Sequence, residues 1–179
     1  MTYLPKLVFE LYLPKKAKII NTGATSVIYK HKQKNMVYGI TTDSFKIQWL
    51  EYNKERFNFK ILKKENYING GEVYFYEMTK LQQLSKKEIS YTQKDVFDIT
   101  RKIYTNMPFV GLKEIKHINK FIYSEWFKNE LLEVRRCFGT RSKTLELDLH
   151  PGQVMKLKNK LVIIDPVYDA TRVSDCQDN

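Results

Sequence analysis

Two aspartates in the last quarter of the chain stand close enough in sequence to share a short hairpin, and carboxylates so placed can do acid–base or cation chemistry. Asp148 lies in the turn Leu147-Asp148-Leu149-His150-Pro151-Gly152-Gln153, and Asp165 closes the apolar run Leu161-Val162-Ile163-Ile164, 17 positions later. The first carboxylate is set in a polar turn, where it can orient or deprotonate a hydroxyl. The second is delivered at the end of a strand, where a hard oxygen suits a divalent cation. Gln153 adds an amide oxygen and His150 an imidazole in the same short stretch. The intervening residues are few enough to make only a short hairpin.

The elements that must hold this pair follow from pattern. Val27 to His31 and Met36 to Thr41 carry β-branched and aromatic residues and read as strands. With Lys18-Ile19-Ile20 before them they make an antiparallel meander, and Leu4 to Leu13 reads as a leading strand. Thr42-Asp43-Ser44 is a helix start, and Phe45, Trp49, Leu50 and Tyr52 recur at helical spacing after it. Asn58 to Tyr67 and Glu72 to Met78 are two further strands, joined by the hairpin chemistry of Asn69-Gly70-Gly71. Helices are expected over Thr92 to Met107 and Leu112 to Phe138. The second has Ile115, Ile118, Ile122, Trp126, Leu131 and Val134 on its inner face and Gly139 at its end. The predicted layout is α+β, with a sheet lobe containing one helix over 1–84 and a helical lobe over 85–179, the tail loose after about 169.

Bulk numbers bound the function. A chain of 179 residues with 42% hydrophobic and 13% aromatic residues is a folded protein rather than a disordered one. No run of eighteen apolar residues exists, so no membrane span or membrane partner is expected. The start lacks the plan of a signal peptide, and two cysteines without metal-type spacing suit a reducing, cytoplasmic setting. His31, His117 and His150 are too scattered for a metal trio. Trp49 and Trp126 read as core residues. The net charge of +11 favours anionic partners: a nucleotide, an acidic protein or a nucleic acid. The lysines are spread along the chain, and no nucleic-acid-binding motif is present.

The turn resembles the protein-kinase-like fold, including its aminoglycoside and choline phosphotransferase branch, whose signature is close to H-G-D-L-H-P-G-N, a short strand and I-D. It is also similar to the small serine/threonine kinase-like proteins of lytic bacteriophages. The resemblance implies a compact, truncated kinase-like fold and ATP- and Mg²⁺-dependent phosphoryl transfer to Ser or Thr of a protein. In it Asp148 acts on the attacking hydroxyl, His150 supports the turn or approaches the phosphates, and Asp165 with Gln153 holds the metal. Asn21-Thr22-Gly23-Ala24-Thr25-Ser26-Val27 resembles the glycine-rich loop, with Asn21, Gly23 and Ser26 in the glycine places, Val27 in the place of the valine, and a hydroxyl from Thr25 or Ser26 compensating for lost glycine. The phage resemblance implies a role in takeover of the host cell, in the host cytoplasm.

Three departures stand beside the resemblance. Gln153 is one methylene longer than the family's asparagine, Glu146 occupies the place of a histidine, and the third strand has no lysine, its place falling near Gly39. Lys46, Lys30 or Lys32 are the candidates to replace that cation, and Glu51 or Glu55 to pair with it. An alternative consistent with these departures is a catalytically inactive pseudokinase that binds and inhibits an acidic partner. A third class, a nucleic-acid-binding protein, rests on charge alone.

Overall fold

A computed structural model of the chain describes residues 17–23, 25–66, 71–92, 124–139, 145–148 and 151–169. The chain forms two compact units, Met1–Lys80 and Leu81–Asn179. The fold class is mixed α+β, with a five-stranded antiparallel sheet and few helices among the described residues.

In the first unit, β1 (Ile19–Thr22), β2 (Ser26–Lys30) and β3 (Met36–Thr41) form the expected meander. Helices α1 (Ser44–Tyr52) and α2 (Lys54–Phe57) follow, then β4 (Lys60–Asn66) and β5 (Glu72–Thr79), giving the sheet order β1-β2-β3-β5-β4. Helix α1 starts where the sequence indicates. Asp43 Oδ1 accepts from Phe45 N at 2.9 Å and Lys46 N at 3.0 Å, satisfying two of the backbone donors left over at a helix start. Its buried face is Ile47, Trp49 and Leu50, whereas Tyr52 is exposed. The expected strand from Asn58 begins later, because α2 ends on Asn58 in the left-handed region (φ 47°).

Side chains alternate across the sheet, so each cross-strand pair shares a face. Ser26 pairs with Thr41, Ile28 with Gly39, and Gly39 with Tyr76 on one face. The other face carries a cluster of Tyr29, Ile40 and Val73, with Val27, Tyr38, Phe75 and Ala17 packed on it. Tyr76 is fully buried, and its ring lies over the backbone of Gly39 with Phe59 against it at 5.3 Å. The lysine expected by the resemblance is thus excluded from this place on the third strand by a packed ring.

The second unit has helices α3 (Lys86–Thr92) and α4 (Glu125–Phe138) and two small sheets. Strands β6 (Leu145–Leu147) and β9 (Val167–Asp169) pair with each other, as do β7 (Val154–Leu157) and β8 (Lys160–Ile163). The β7–β8 turn is Lys158-Asn159, with Lys158 at φ 56°, as a tight two-residue hairpin turn requires. Helix α4 buries Phe127, Glu130, Leu131 and Val134, so Phe127 rather than Trp126 takes the core position. Gly139 ends it at φ 69°, with its N–H on Arg135 O. The leading strand over 4–13, the Asn69-Gly70 part of the β4–β5 turn and the helical stretches over 93–107 and 112–123 lie outside the described residues.

The segment entering α3 is tied to β7. Gln82 and Lys156 exchange backbone hydrogen bonds of 2.9 and 2.8 Å. Ser85 and Glu88 form a reciprocal capping box, and Glu88 Oε1 also meets Lys156 Nζ at 2.7 Å. The Lys156 ammonium and the Ser85 donors hold the Glu88 carboxyl down at about 2. A carboxylate with a lowered folded pKa stabilises the fold above its unfolded value of 4.5, and that contribution is lost as pH falls toward 2. Glu88→Gln is therefore expected to melt below wild type at pH 7, with the gap in Tm narrowing steadily below pH 4.5. A gap independent of pH would deny the pair its role.

Candidate functional site

The two aspartates are brought to neighbouring backbone positions by strand pairing. Leu147 stands opposite Val167 in the β6–β9 ladder, and Asp148 N donates to Pro166 O at 2.9 Å, one residue from Asp165. Gln153 Nε2 donates to Asp148 Oδ2 at 2.9 Å. The longer side chain thus reaches the carboxylate of the first aspartate through its Nε2, leaving the amide oxygen outside that contact. Asp165 lies two residues past the end of β8, half-buried, with Oδ1 out of contact with solvent.

Further hydrogen bonds brace this turn. Ile164 N donates to Gln153 O at 2.9 Å, locking the Gln153 backbone to the residue before Asp165. Glu130, buried on α4, accepts from Ile163 N at 3.1 Å. A buried carboxylate on a strand-end amide is costly unless hydrogen-bonded, and here it anchors the chain just ahead of Asp165. Glu146, in the place where the family has histidine, accepts from the Tyr168 hydroxyl across the β6–β9 pair. Burial and the Glu146 carboxylate push the Tyr168 phenol up to about 12, so it remains a donor at neutral pH. His150 lies outside the described residues.

The two residues the resemblance assigns to magnesium, Asp165 and Gln153, offer a carboxylate and an amide oxygen, hard donors of the class that ion takes with water completing its shell. Among the described residues no group of three or more His, Cys, Asp or Glu side chains is placed to hold a metal. Oxygen donors of this class suit magnesium by their chemistry and lack the sulfur and nitrogen ligands that zinc takes. Burial pushes the Cys137 thiol up to about 12, which removes it as a nucleophile at neutral pH.

In the first unit, the β1–β2 connection is held by a closed hydrogen-bond network. Gly23 N donates to Ser26 O at 2.7 Å, and Thr22 N to Asn21 Oδ1 at 2.9 Å. Thr25 O accepts from both Thr42 N at 3.1 Å and Thr41 Oγ1 at 3.0 Å. Ser26 Oγ donates to Thr41 Oγ1 at 2.8 Å and accepts from Lys46 Nζ at 3.3 Å. Of the candidate replacements for the third-strand lysine, Lys46 is therefore the one brought to this loop. Lys30 and Lys32 are exposed, as are Glu51 and Glu55.

Two further loop residues have defined surroundings. Val27 joins the Tyr29–Ile40–Val73 cluster, on the face opposite Ser26, whereas Ile28 shares the Ser26 face. A Cβ at Gly23 would meet Ser26 O at 3.8 Å, an ordinary contact, so the loop's own geometry does not require glycine there. Strand alternation in the sequence was the signal that could have pointed to Ile28. The role of Thr41 depends on cross-strand register and had no such signal. Neither family models, nor curated proteins, nor solved structures yield a match to this chain.

Proposed function

We propose that this chain is a kinase-like protein that uses ATP and Mg²⁺ to phosphorylate Ser or Thr of a protein, with the phage resemblance suggesting a host-takeover setting. The observation that carries the reading is the pairing of β6 with β9, which sets Asp148 and Asp165 side by side with Gln153 on the first carboxylate. Phosphoryl transfer is mostly positioning and charge neutralisation, so few side chains suffice. Asp148, oriented by Gln153, accepts the proton of the attacking hydroxyl. Asp165 and the Gln153 amide oxygen would hold the metal, and magnesium there would supply positive charge against the phosphates. In the first unit, Lys46 on α1 is the cation beside the β1–β2 loop, and Ile28 shares the Ser26 face of the sheet.

The second reading is a pseudokinase that binds an acidic partner without transferring phosphate. The specific support for it is the packing of Tyr76 over Gly39, which closes the third strand to lysine. A thermal titration with Mg-ATP tests the nucleotide site common to an active kinase and a nucleotide-binding pseudokinase. A ligand that binds only the folded state raises Tm, by the equivalent of about 2.7 kcal/mol at a hundredfold excess over Kd. Wild type is expected to show the rise and Asp165→Ala to lose it. No rise in wild type at millimolar Mg-ATP would remove the kinase proposal.

A further inference from the structure

Antiparallel order collects cations that are scattered in the sequence. Lys18 precedes β1, Lys30 ends β2, Lys32 and Lys34 lie in the β2–β3 turn, Lys60 starts β4, and Lys80 follows β5. Because neighbouring strands alternate in direction, all six fall at the same end of the five-stranded sheet. The backbone confirms the juxtaposition: Lys30 N bonds Lys18 O at 2.8 Å, Lys80 N bonds Asn35 O at 2.8 Å, and Lys60 stands opposite Glu77. All six are exposed, and among the described residues none of their ammonium groups has an ion-pair or hydrogen-bond partner. The carboxylate among these strand ends, Glu77, faces the imidazole of His31 at 3.4 Å. Ser26, Thr41 and Lys46 lie at the opposite end of the same strands.

We propose that this lysine end is a docking surface for duplex DNA, engaging its phosphate backbone. Five strands span roughly 19 Å at about 4.8 Å each, and B-DNA offers one negative charge per ~1.7 Å of axis over that width. Lysine is a compact point charge suited to phosphates, and it is depleted from protein–protein interface cores, which need aromatic or apolar anchors. The side chains exposed between Lys32 and Asn35 are polar, and the exposed isoleucines, Ile19 and Ile20, lie on the outermost strand. No exposed aromatic ring stands in the turn to stack an unpaired base, which favours a duplex over a single strand. The two-stranded end of β2 and β3, with the amides of Gln33 and Asn35, is of a size that a B-form major groove of about 12 Å admits. The deep, narrow major groove of A-form RNA does not.

The test uses the full chain and a labelled 20-base-pair DNA duplex, followed by fluorescence anisotropy over a salt series. Wild type is expected to bind, with affinity falling steeply as salt rises. The triple variant Lys32→Gln, Lys34→Gln, Lys80→Gln is expected to lose about tenfold or more at 0.1 M salt and to flatten the log–log salt slope by about three. A control triple in the second unit, Lys86→Gln, Lys87→Gln, Lys160→Gln, changes net charge equally and is expected to stay within about twofold of wild type. A second surface triple, Lys18→Gln, Lys30→Gln, Lys60→Gln, must behave like the first. Equal losses in surface and control variants overturn the proposal, as do preferred binding of the matching RNA duplex or of polyglutamate, or no binding at low salt. The Mg-ATP titration is independent, because these lysines lie away from the loop it addresses.

Discussion

Asp148→Asn is expected to reduce phosphoryl transfer by about 10²- to 10⁴-fold while leaving the Mg-ATP-dependent rise in Tm in place. Asparagine keeps the size of the side chain, and its Oδ1 can still accept from Gln153 Nε2, the contact that holds Asp148 at 2.9 Å. The backbone bond from residue 148 to Pro166 O is untouched by the change. The turn therefore persists, and what is removed is the ability to take a proton from an attacking hydroxyl. Radiolabel transfer from ATP to casein, with autophosphorylation read in parallel, measures the effect. Equal label in mutant and wild type would take Asp148 out of the base role. A wild-type chain that shows the Tm rise and transfers no label in either assay is the pseudokinase outcome, binding without transfer.

How much of this was legible in the sequence depends on the range of the interaction. The meander, the Asp43 cap, the hairpin between the aspartates and the glycine end of α4 all rest on residues within a few positions of each other, and all are present. The inner face of α4 was misplaced by one position at Trp126. The reason is that a charged residue, Glu130, belongs to the buried stripe of 127, 130, 131 and 134 and was invisible to a search for apolar periodicity. The resemblance implies a metal-ligand part for Gln153, whereas its bond to Asp148 depends on how the turn closes. The lysines looked dispersed because their clustering is a property of strand order, which the linear spacing does not contain. The resemblance guided the reading to Asp148 and Asp165, and the pairing of β6 with β9 supplies a physical reason for their proximity that the motif itself lacked.

Gly39→Ala is expected to cost about 1–3 kcal/mol, the range for forcing extra atoms into a packed interior, and to lower Tm by several degrees. A Cβ at this position would lie 2.1 Å from Tyr76 Cζ and 2.4 Å from its Cε2 and hydroxyl oxygen, far inside van der Waals contact. The ring has no easy retreat: it is fully buried, directly across the ladder from Gly39, and backed by Phe59. Neighbours that share one clash are not additive, so the penalty should shrink when Gly39→Ala is made in a Tyr76→Ala background. A full-sized penalty in that background, measured by urea unfolding, would place the cause in the backbone instead of the ring. The longer side chain of lysine enlarges the same clash, so a cation cannot simply be restored at Gly39. A cation beside the β1–β2 loop has to come from outside the third strand, and Lys46, whose Nζ lies 3.3 Å from Ser26 Oγ, comes from α1.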